Sequence, residues 1–362
     1  MLEFGSEYKH FTYWIAAGSQ MTIIIHIGLP KTGTKSLQSF FWEFREPIAA
    51  AGLYYPTSGC DRRGHGHHNI YWTYSRKPKL KARFEAEIGG QVDLIKELRD
   101  VKQDVLISSE GLWALARDEP ARMAAFVSDI AGGRKVKFVV TWRNAAEFCE
   151  SMYFQRAKVM QLKSIKKALP KFFDVPAQFE KTVTFLTRVK GAEVFVVQYG
   201  KDMHELFLNL LSTHMNVKID RDLKAKRVIN TSMSVAQKLI AAHLALSKTR
   251  FEPKTYRKIL RSLGQGTSKD FKTEDRSIMP EGLQRQLIDL SVESLKRLVK
   301  NNSKVTLYPV VVPKDFKTRP YLMDETDVFT FPALRTVMSE LEGSQMRKAD
   351  VGELASSRRM HL

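Results

Sequence analysis

The chain has 362 residues, of which 43% are hydrophobic and 27% are charged, with 58 Lys and Arg against 39 Asp and Glu and a formal net charge of +19 at pH 7. This length can bury a substantial core, and this composition is typical of a globular protein rather than of a disordered or fibrous one. Only two cysteines occur, which excludes a disulfide framework, and no apolar run approaches the ~20 residues that a bilayer-spanning helix needs.

The first twenty residues are expected to be an N-terminal extension, because Met21 directly precedes the first predicted strand. The apolar run at 11–18 is too short, and too closely flanked by polar residues, for a secretory signal. The scarcity of cysteine also favours a reducing compartment. We therefore expect a cytoplasmic protein.

The first predicted strand leads into a turn and then a helix. Ile23, Ile24, Ile25 and Ile27 form a β-branched apolar run that is typical of a buried strand. Residues 28–33 form a tight turn between two glycines. From Thr34 onward, apolar residues recur at helical spacing. They are Leu37, Phe40, Phe41 and Phe44.

This strand, turn and helix together predict a phosphate cradle, because backbone N–H groups at a helix N-terminus attract anions. Lys31 adds a positive charge, and Thr32, Thr34 and Ser36 add hydroxyls. The nucleotide-loop pattern G-x-x-x-x-G-K-[ST] fails by one position, since its lysine comes one residue late, at Lys35.

Residues 46–103 are predicted to be a long insert on the acceptor side of the site, where a substrate would bind. Its aromatic residues either stack on sugar rings or form a loop core. Three histidines lie within it, at His65, His67 and His68. They are expected to contact solvent or substrate, and catalysis or metal binding are the alternatives considered. His26, by contrast, is expected to be a buried histidine with satisfied hydrogen bonds.

Two further strands are each followed by a polar residue with a candidate role. Residues 104–109 read as a strand that ends at Glu110, and residues 136–142 read as a strand that ends at Arg143. In open α/β sheets, ligands gather at the carboxyl ends of strands. Arginine can bind a phosphate through two N–H groups, and Ser151, in the predicted helix 145–158, can complete the anion's shell.

The rest of the chain predicts one more strand at 193–198, helices at 203–213, 232–247 and 282–299, and a strand-like run at 305–312. Residues 159–190 are basic, contain two prolines and are predicted to be a mobile lid on the acceptor side. The alternation of strands and helices predicts an α/β fold, with a central parallel sheet flanked by helices. The fold would occupy 21–312, and 313–362 would be a C-terminal tail.

The first turn closely resembles the 5′-phosphosulfate loop of the sulfotransferases that use 3′-phosphoadenosine 5′-phosphosulfate (PAPS), in their bacterial form. That loop reads Pro-Lys-Thr-Gly-Thr-Thr before a helix, and here residues 30–35 read Pro-Lys-Thr-Gly-Thr-Lys, so that Lys35 is the departure. Arg143 and Ser151 resemble the family's 3′-phosphate element. Residues 230–234 resemble its Asn-x-Ser-x-Ser stretch, although a helix N-cap explains their side chains better. The resemblance covers roughly 22–300. It implies a P-loop-NTPase-like sulfotransferase architecture.

The resemblance also implies roles for the site residues. The enzyme would transfer a sulfuryl group from PAPS to a hydroxyl or amine of a carbohydrate-like acceptor, such as a glycan or glycolipid, and release PAP without a metal. Residues 31–36 would hold the 5′-phosphosulfate, with Lys31 at the leaving group. Glu110 would take the acceptor's proton, and one of His65, His67 and His68 is the alternative base.

Two other functions remain open at this point. A P-loop kinase would use Lys35 as its nucleotide lysine and would need carboxylates for Mg²⁺, for which Asp104 and Glu110 are the nearby candidates. A non-catalytic protein of the same fold would bind polyanions through its positive charge. That charge also fits contact with an anionic membrane surface. Nucleic acid is not expected, because no zinc-finger spacing or aromatic RNA-binding motif occurs.

Overall fold

The computed structural model describes residues 21–61, 65–76, 94–157, 165–200, 202–220, 222–223, 241, 277, 279–308, 316 and 318. The predicted extension 1–20, the predicted helix 232–247 apart from residue 241, the stretch before that helix, and nearly all of the predicted tail 313–362 lie outside the described residues.

The described residues belong to two compact units. The first contains those within Met1–Phe148, Leu169–Thr231 and Leu287–Phe316, and the second contains those within Cys149–Ala168, Ser232–Gln286 and Lys317–Leu362. In the second unit, the buried Glu150 carboxylate accepts a hydrogen bond from Ser277 at 2.7 Å. The six strands of the sheet all belong to the first unit.

A single parallel sheet of six strands organises the first unit, as far as the structure describes it. The strands are β1 Thr22–Gly28, β2 Leu53–Tyr54, β3 Asp104–Ser108, β4 Lys135–Trp142, β5 Ala192–Gln198 and β6 Val305–Tyr308. Their order across the sheet is β2-β3-β1-β4-β5-β6, and every neighbouring pair is parallel. This confirms the predicted fold class.

Helices cover both faces of the sheet because alternate residues of each strand point to opposite sides. In β1, Ile23, Ile25 and Ile27 join one core cluster and Ile24 joins the other. The described helices are Thr34–Glu43, Arg45–Ala50, His68–Tyr74, Leu94–Arg99, Gly111–Asp118, Pro120–Ala131, Ala145–Ala157, Ile165–Thr187, Met203–Met215 and Glu281–Asn301.

The chain changes direction across the sheet at β1. From β1 it runs to β2 and returns through β3 on one side, and then continues through β4, β5 and β6 on the other. Such a point leaves a crevice outside the carboxyl ends of the strands, where ligands bind in open α/β sheets. The predicted phosphate loop follows β1 and therefore lies at this crevice.

The segment 46–103 differs from a simple insert, because part of it belongs to the sheet. Leu53 and Tyr54 pair in parallel with the start of β3. Tyr55 and Tyr71 are buried in the two core clusters, which supports the loop-core interpretation of these two aromatic residues. A two-residue strand is too short to give a period-2 pattern, so the sequence did not reveal it.

The predicted mobile lid at 159–190 also differs from what the structure shows. Ile165–Thr187 is one helix of 23 residues with Pro170 and Pro176 inside it. Within the first unit, Phe179, Val183 and Leu186 of this helix pack in the core. Their spacing is helical, but the lysines and prolines around them obscured it.

Candidate active site

Four strands of the sheet end at one edge, and each is followed by a candidate site residue. β1 runs into the loop of residues 28–33, Glu110 lies two residues after β3, and Arg143 and Tyr199 directly follow β4 and β5. Because β1 pairs with β3 on one side and β4 on the other, Glu110 and Arg143 flank the loop. The fold thus gathers elements that are far apart in the sequence.

The loop after β1 has a strained backbone that local hydrogen bonds hold in place. Lys31 and Gly33 have φ angles of 69° and 73°, in the left-handed region. This conformation costs about 1–2 kcal/mol for a residue with a Cβ, such as Lys31. The hydroxyl of Thr32 donates to the Leu29 carbonyl at 2.6 Å. Thr32 is fully buried, so its side chain stabilises the loop from the side that faces the protein interior.

The loop also turns back closely on the strand that precedes it. A Cβ at Gly28 would collide with the Thr34 hydroxyl, so this position requires glycine. The helix begins at once, since the Ser36 N–H donates to the Gly33 carbonyl at 2.9 Å. Gly33 is the N-cap, and no side chain of the described residues caps this end. The first amides of the helix are therefore directed as an anion-binding site requires.

Arg143 reaches this loop from the end of β4. Its Nη1 donates to the Lys31 carbonyl oxygen at 2.9 Å, and its Nε donates to Glu147 at 3.0 Å. The guanidinium also lies 4.6 Å from the ring centroid of Tyr199. These contacts fix the orientation of a planar, permanently charged group beside the phosphate loop.

Glu110 faces the same loop from the other side. Burial raises the pKa of its carboxyl above the ordinary value, while Lys35, Lys31 and a hydrogen bond with Thr34 oppose that rise. Burial outweighs the nearby lysines, so the carboxylate is a stronger base than a solvent-exposed one. The predicted base and the predicted phosphate loop are thus in contact.

Lys35 is exposed and lies on the Glu110 side of the loop. Its charge acts on both Glu110 and His68. Ser36 is partly buried in the same first turn of the helix. Lys35 thus places a positive charge near the candidate base.

Ser151 lies on the helix Ala145–Ala157, which begins two residues after Arg143, and is partly buried. It belongs to the second unit, whereas Arg143 belongs to the first. Its role with Arg143 at one phosphate therefore stays a prediction.

His67 has a structural role rather than the predicted contact with solvent or substrate. It is fully buried, its Nδ1 accepts the Ser108 N–H at 3.1 Å, and its Nε2 lies 3.0 Å from the Pro56 carbonyl oxygen. Both ring nitrogens are thus engaged with the backbone. Burial lowers the pKa of His67 to about 4, so its ring is neutral at pH 7.

The other histidines differ from one another. His65 stacks on Trp42, with ring centroids 5.0 Å apart, whereas Nδ1 of His68 lies 3.2 Å from Ser109 Oγ, next to Glu110. In the sheet, the ring of His26 contacts one hydroxyl in each neighbouring strand. These hydroxyls are Ser108 Oγ at 2.9 Å and Thr141 Oγ1 at 3.1 Å. The prediction that His26 is a satisfied core histidine is confirmed.

Sequence analysis gave no role in this site to two of its residues, Tyr199 and Asp61. Tyr199 follows β5, and a Cβ at Gly33 would lie 3.6 Å from its ring. Asp61 has its Oδ2 4.0 Å from His68 Nε2, and its charge also raises the pKa of Glu110. The sequence signal for Tyr199 was its place directly after a predicted strand, and the signal for Asp61 was its place close before the three histidines.

A search against protein-family models and a search of curated proteins both found no match for this chain. Among the described residues, no helix is long and apolar enough to cross a membrane. Within the same residues, no three His, Cys, Asp or Glu side chains are grouped as metal ligands would be.

Proposed function

We propose that this protein is a PAPS-dependent sulfotransferase that transfers a sulfuryl group to a hydroxyl or amine of a carbohydrate-like acceptor. The observation that supports this best is the hydrogen bond of 2.9 Å from Arg143 to the carbonyl of Lys31. Arg143 and Lys31 are 112 positions apart in the sequence. Each belongs to a segment that resembles a phosphate-binding element of the sulfotransferases, and this hydrogen bond brings the two segments together. A donor with a phosphate at each end of its ribose requires two such elements side by side.

Bound PAPS supplies the sulfuryl group and leaves as PAP. The backbone N–H groups of residues 31–35 would hold the 5′-phosphosulfate, with the hydroxyls of Thr34 and Ser36. Thr32 would contribute its amide, since its hydroxyl proton goes to Leu29. Arg143 would bind the 3′-phosphate, with Ser151 as the proposed partner.

Lys31 would neutralise the negative charge that develops on the departing phosphate, and Lys35 would add to this field. Glu110 would accept the acceptor's proton as the new bond to sulfur forms and the bond from sulfur to the phosphate oxygen breaks. Its raised pKa suits this task, because a general base works best when its pKa approaches the working pH. These steps need no covalent intermediate on the protein.

The proposal is tested by titrating PAP and, separately, ATP with Mg²⁺ into the parent protein and two variants, Lys31→Ala and Arg143→Ala, by calorimetry. We expect PAP to bind the parent well and both variants at least ~10-fold more weakly, since a charged hydrogen bond contributes about 1.5–3 kcal/mol. Lys135→Ala is the matched control, because Lys135 is exposed at the opposite end of β4 from Arg143. It removes the same charge and should leave PAP affinity unchanged.

Other results would contradict the proposal. Tighter binding of ATP with Mg²⁺ than of PAP would favour the kinase. Weak PAP binding that falls equally in all three variants would favour a non-specific polyanion binder. Release of PAP from PAPS in the presence of a glycan library then tests the acceptor class.

Two further parts of the proposal concern the cell rather than the site. We assign the protein to the cytoplasm, because it has only two cysteines and both are free thiols, as is usual in a reducing compartment. The net charge of +19 also suits contact with an anionic membrane surface that carries a glycolipid acceptor.

A further inference from the structure

A short chain of polar contacts surrounds the backbone of Glu110. The N–H of Gly111 donates to Ser109 Oγ at 3.1 Å, and that same oxygen lies 3.2 Å from Nδ1 of His68. On the other side of the ring, Nε2 of His68 lies 4.0 Å from Asp61 Oδ2. The chain therefore contacts the residue before Glu110 and the residue after it.

Serine, histidine and aspartate in this order are also the residue types of hydrolytic triads, but Ser109 is not placed to be a nucleophile. Its side chain is 0% exposed, and its oxygen already accepts a backbone N–H. A serine nucleophile must present its oxygen to the substrate. The contacts are therefore better explained by a supporting role.

We propose that His68 is a positioning residue for Glu110 and acts through Ser109 to fix the backbone on both sides of that carboxylate. This inference rests on the proposed function, in which Glu110 takes the acceptor's proton. A base must lie within hydrogen-bond reach of the proton it removes, and a displacement of about 1 Å can cost ~10²-fold in rate.

Burial favours the neutral form of His68. Burial lowers its pKa, Asp61 opposes this shift, and Lys35 adds to it, while His67 is also close enough to interact. In the neutral ring, Nδ1 accepts the Ser109 O–H while Nε2–H faces Asp61. The groups that act on Glu110 itself are Lys35, Lys31 and Asp61.

Two substitutions at His68 separate positioning from direct catalysis. In His68→Asn, the amide oxygen stands close to where Nδ1 was and can accept the Ser109 O–H, but it cannot act as a base. We expect this variant to keep kcat within ~3-fold of the parent, and His68→Ala to lose ~10–100-fold in kcat, with unchanged PAP affinity in both. His214→Asn is a control, because His214 lies on the helix Met203–Met215 and takes no part in these polar contacts around Glu110.

The pH profile gives a readout that a purely structural role would not move. Because burial raises the pKa of Glu110, any loosening that admits water should lower it. The acid limb of kcat/KM should therefore shift to lower pH in His68→Ala, stay in place in His68→Asn and be absent in Glu110→Gln. If both His68 variants were equally inactive, His68 would itself be the base, and if neither changed kcat it would have no role. Either result overturns the inference.

A measurement on the free protein separates this inference from the proposed function. Labelling glutamate carbonyl carbons and glycine nitrogens selects three amide signals, from Gly111, Gly282 and Gly343, since each of these glycines follows a glutamate. The Gly111 signal should move in Ser109→Ala, move similarly in His68→Ala, and stay near the parent position in His68→Asn. Hence a protein that fails to bind PAP but shows this pattern would refute the proposed function alone. An unmoved Gly111 signal in His68→Ala would refute the positioning chain, whatever the protein does with PAP.

Discussion

Replacing Glu110 with glutamine should lower activity and raise stability in the same variant. Glutamine keeps the shape of the side chain and its contact with Thr34 but cannot take a proton. Loss of a general base costs ~10²–10⁴-fold, so kcat should fall by that factor, which corresponds to about 2.7–5.4 kcal/mol in the activation barrier. PAP affinity should not weaken, because the substitution removes a negative charge beside Lys31 and Lys35.

The stability effect follows from the direction of the pKa shift. Because the folded pKa of Glu110 is raised, the folded protein binds more protons than the unfolded chain between the two pKa values, and stability falls as pH rises through that window. Above it, ionised Glu110 destabilises the fold, so Glu110→Gln should melt at a higher temperature than the parent at pH 7. The difference should shrink as the pH falls below the ordinary value of 4.5.

Thermal melts at several pH values, together with single-turnover rates of PAP release, check both halves of this prediction. Glu43→Gln is a suitable control, because Glu43 is exposed at the end of the helix Thr34–Glu43 that lies away from the loop. If Glu110→Gln were as active as the parent, Glu110 would not be the base. If it melted at a lower temperature at pH 7, the account of its burial would be wrong.

Three other substitutions test separate features. Lys35→Thr restores the family residue and should keep PAPS turnover within ~10-fold, whereas loss of both turnover and ATP binding would favour the kinase. Gly28→Ala should abolish PAP binding or destabilise the fold by ~1–3 kcal/mol, as for overpacking, because its Cβ would meet the Thr34 hydroxyl; a melt and a PAP titration measure this. Glu97→Gln should lower stability at pH 7 in urea titrations. Burial would raise the pKa of Glu97, but hydrogen bonds from residues 54–58 lower it overall, so its stabilising effect should disappear as pH falls below 4.5.

The parts of the fold that the sequence predicted are those with a strong local signal. The isoleucines of β1 form a continuous β-branched run, the apolar face of the helix Thr34–Glu43 follows a period of 3.6, and both elements form as predicted. β2 was missed because its two residues show no period and are stabilised by pairing with β3. The helix Ile165–Thr187 was mistaken for a lid because prolines and lysines interrupt its apolar pattern.

The residues of the candidate site also fall into those that the sequence predicted and those whose roles it did not reveal. The sequence identified Glu110 and Arg143 as candidates because each follows the end of a predicted strand. A parallel sheet brings the carboxyl ends of its strands to one edge. By contrast, the burial of His67 depends on contacts with Pro56 and Ser108, residues that are 11 and 41 positions away. Local sequence carries no information about such contacts, so a buried structural histidine and an exposed catalytic one looked alike.

The buried histidines explain how the edge of the sheet is held in place beside the proposed base, whose carboxyl is costly to ionise. Ser108 lies two residues before Glu110, and it is bound through its hydroxyl to His26 and through its N–H to His67. Burial lowers the pKa of these rings to about 3 and about 4, so both are neutral at pH 7 and keep these contacts. The unfolded chain binds protons at both histidines below the ordinary value of 6.5, whereas the folded chain does not. Stability therefore falls as pH drops below 6.5, while in the folded protein both rings stay neutral and keep their contacts with Ser108 until the pH approaches 4.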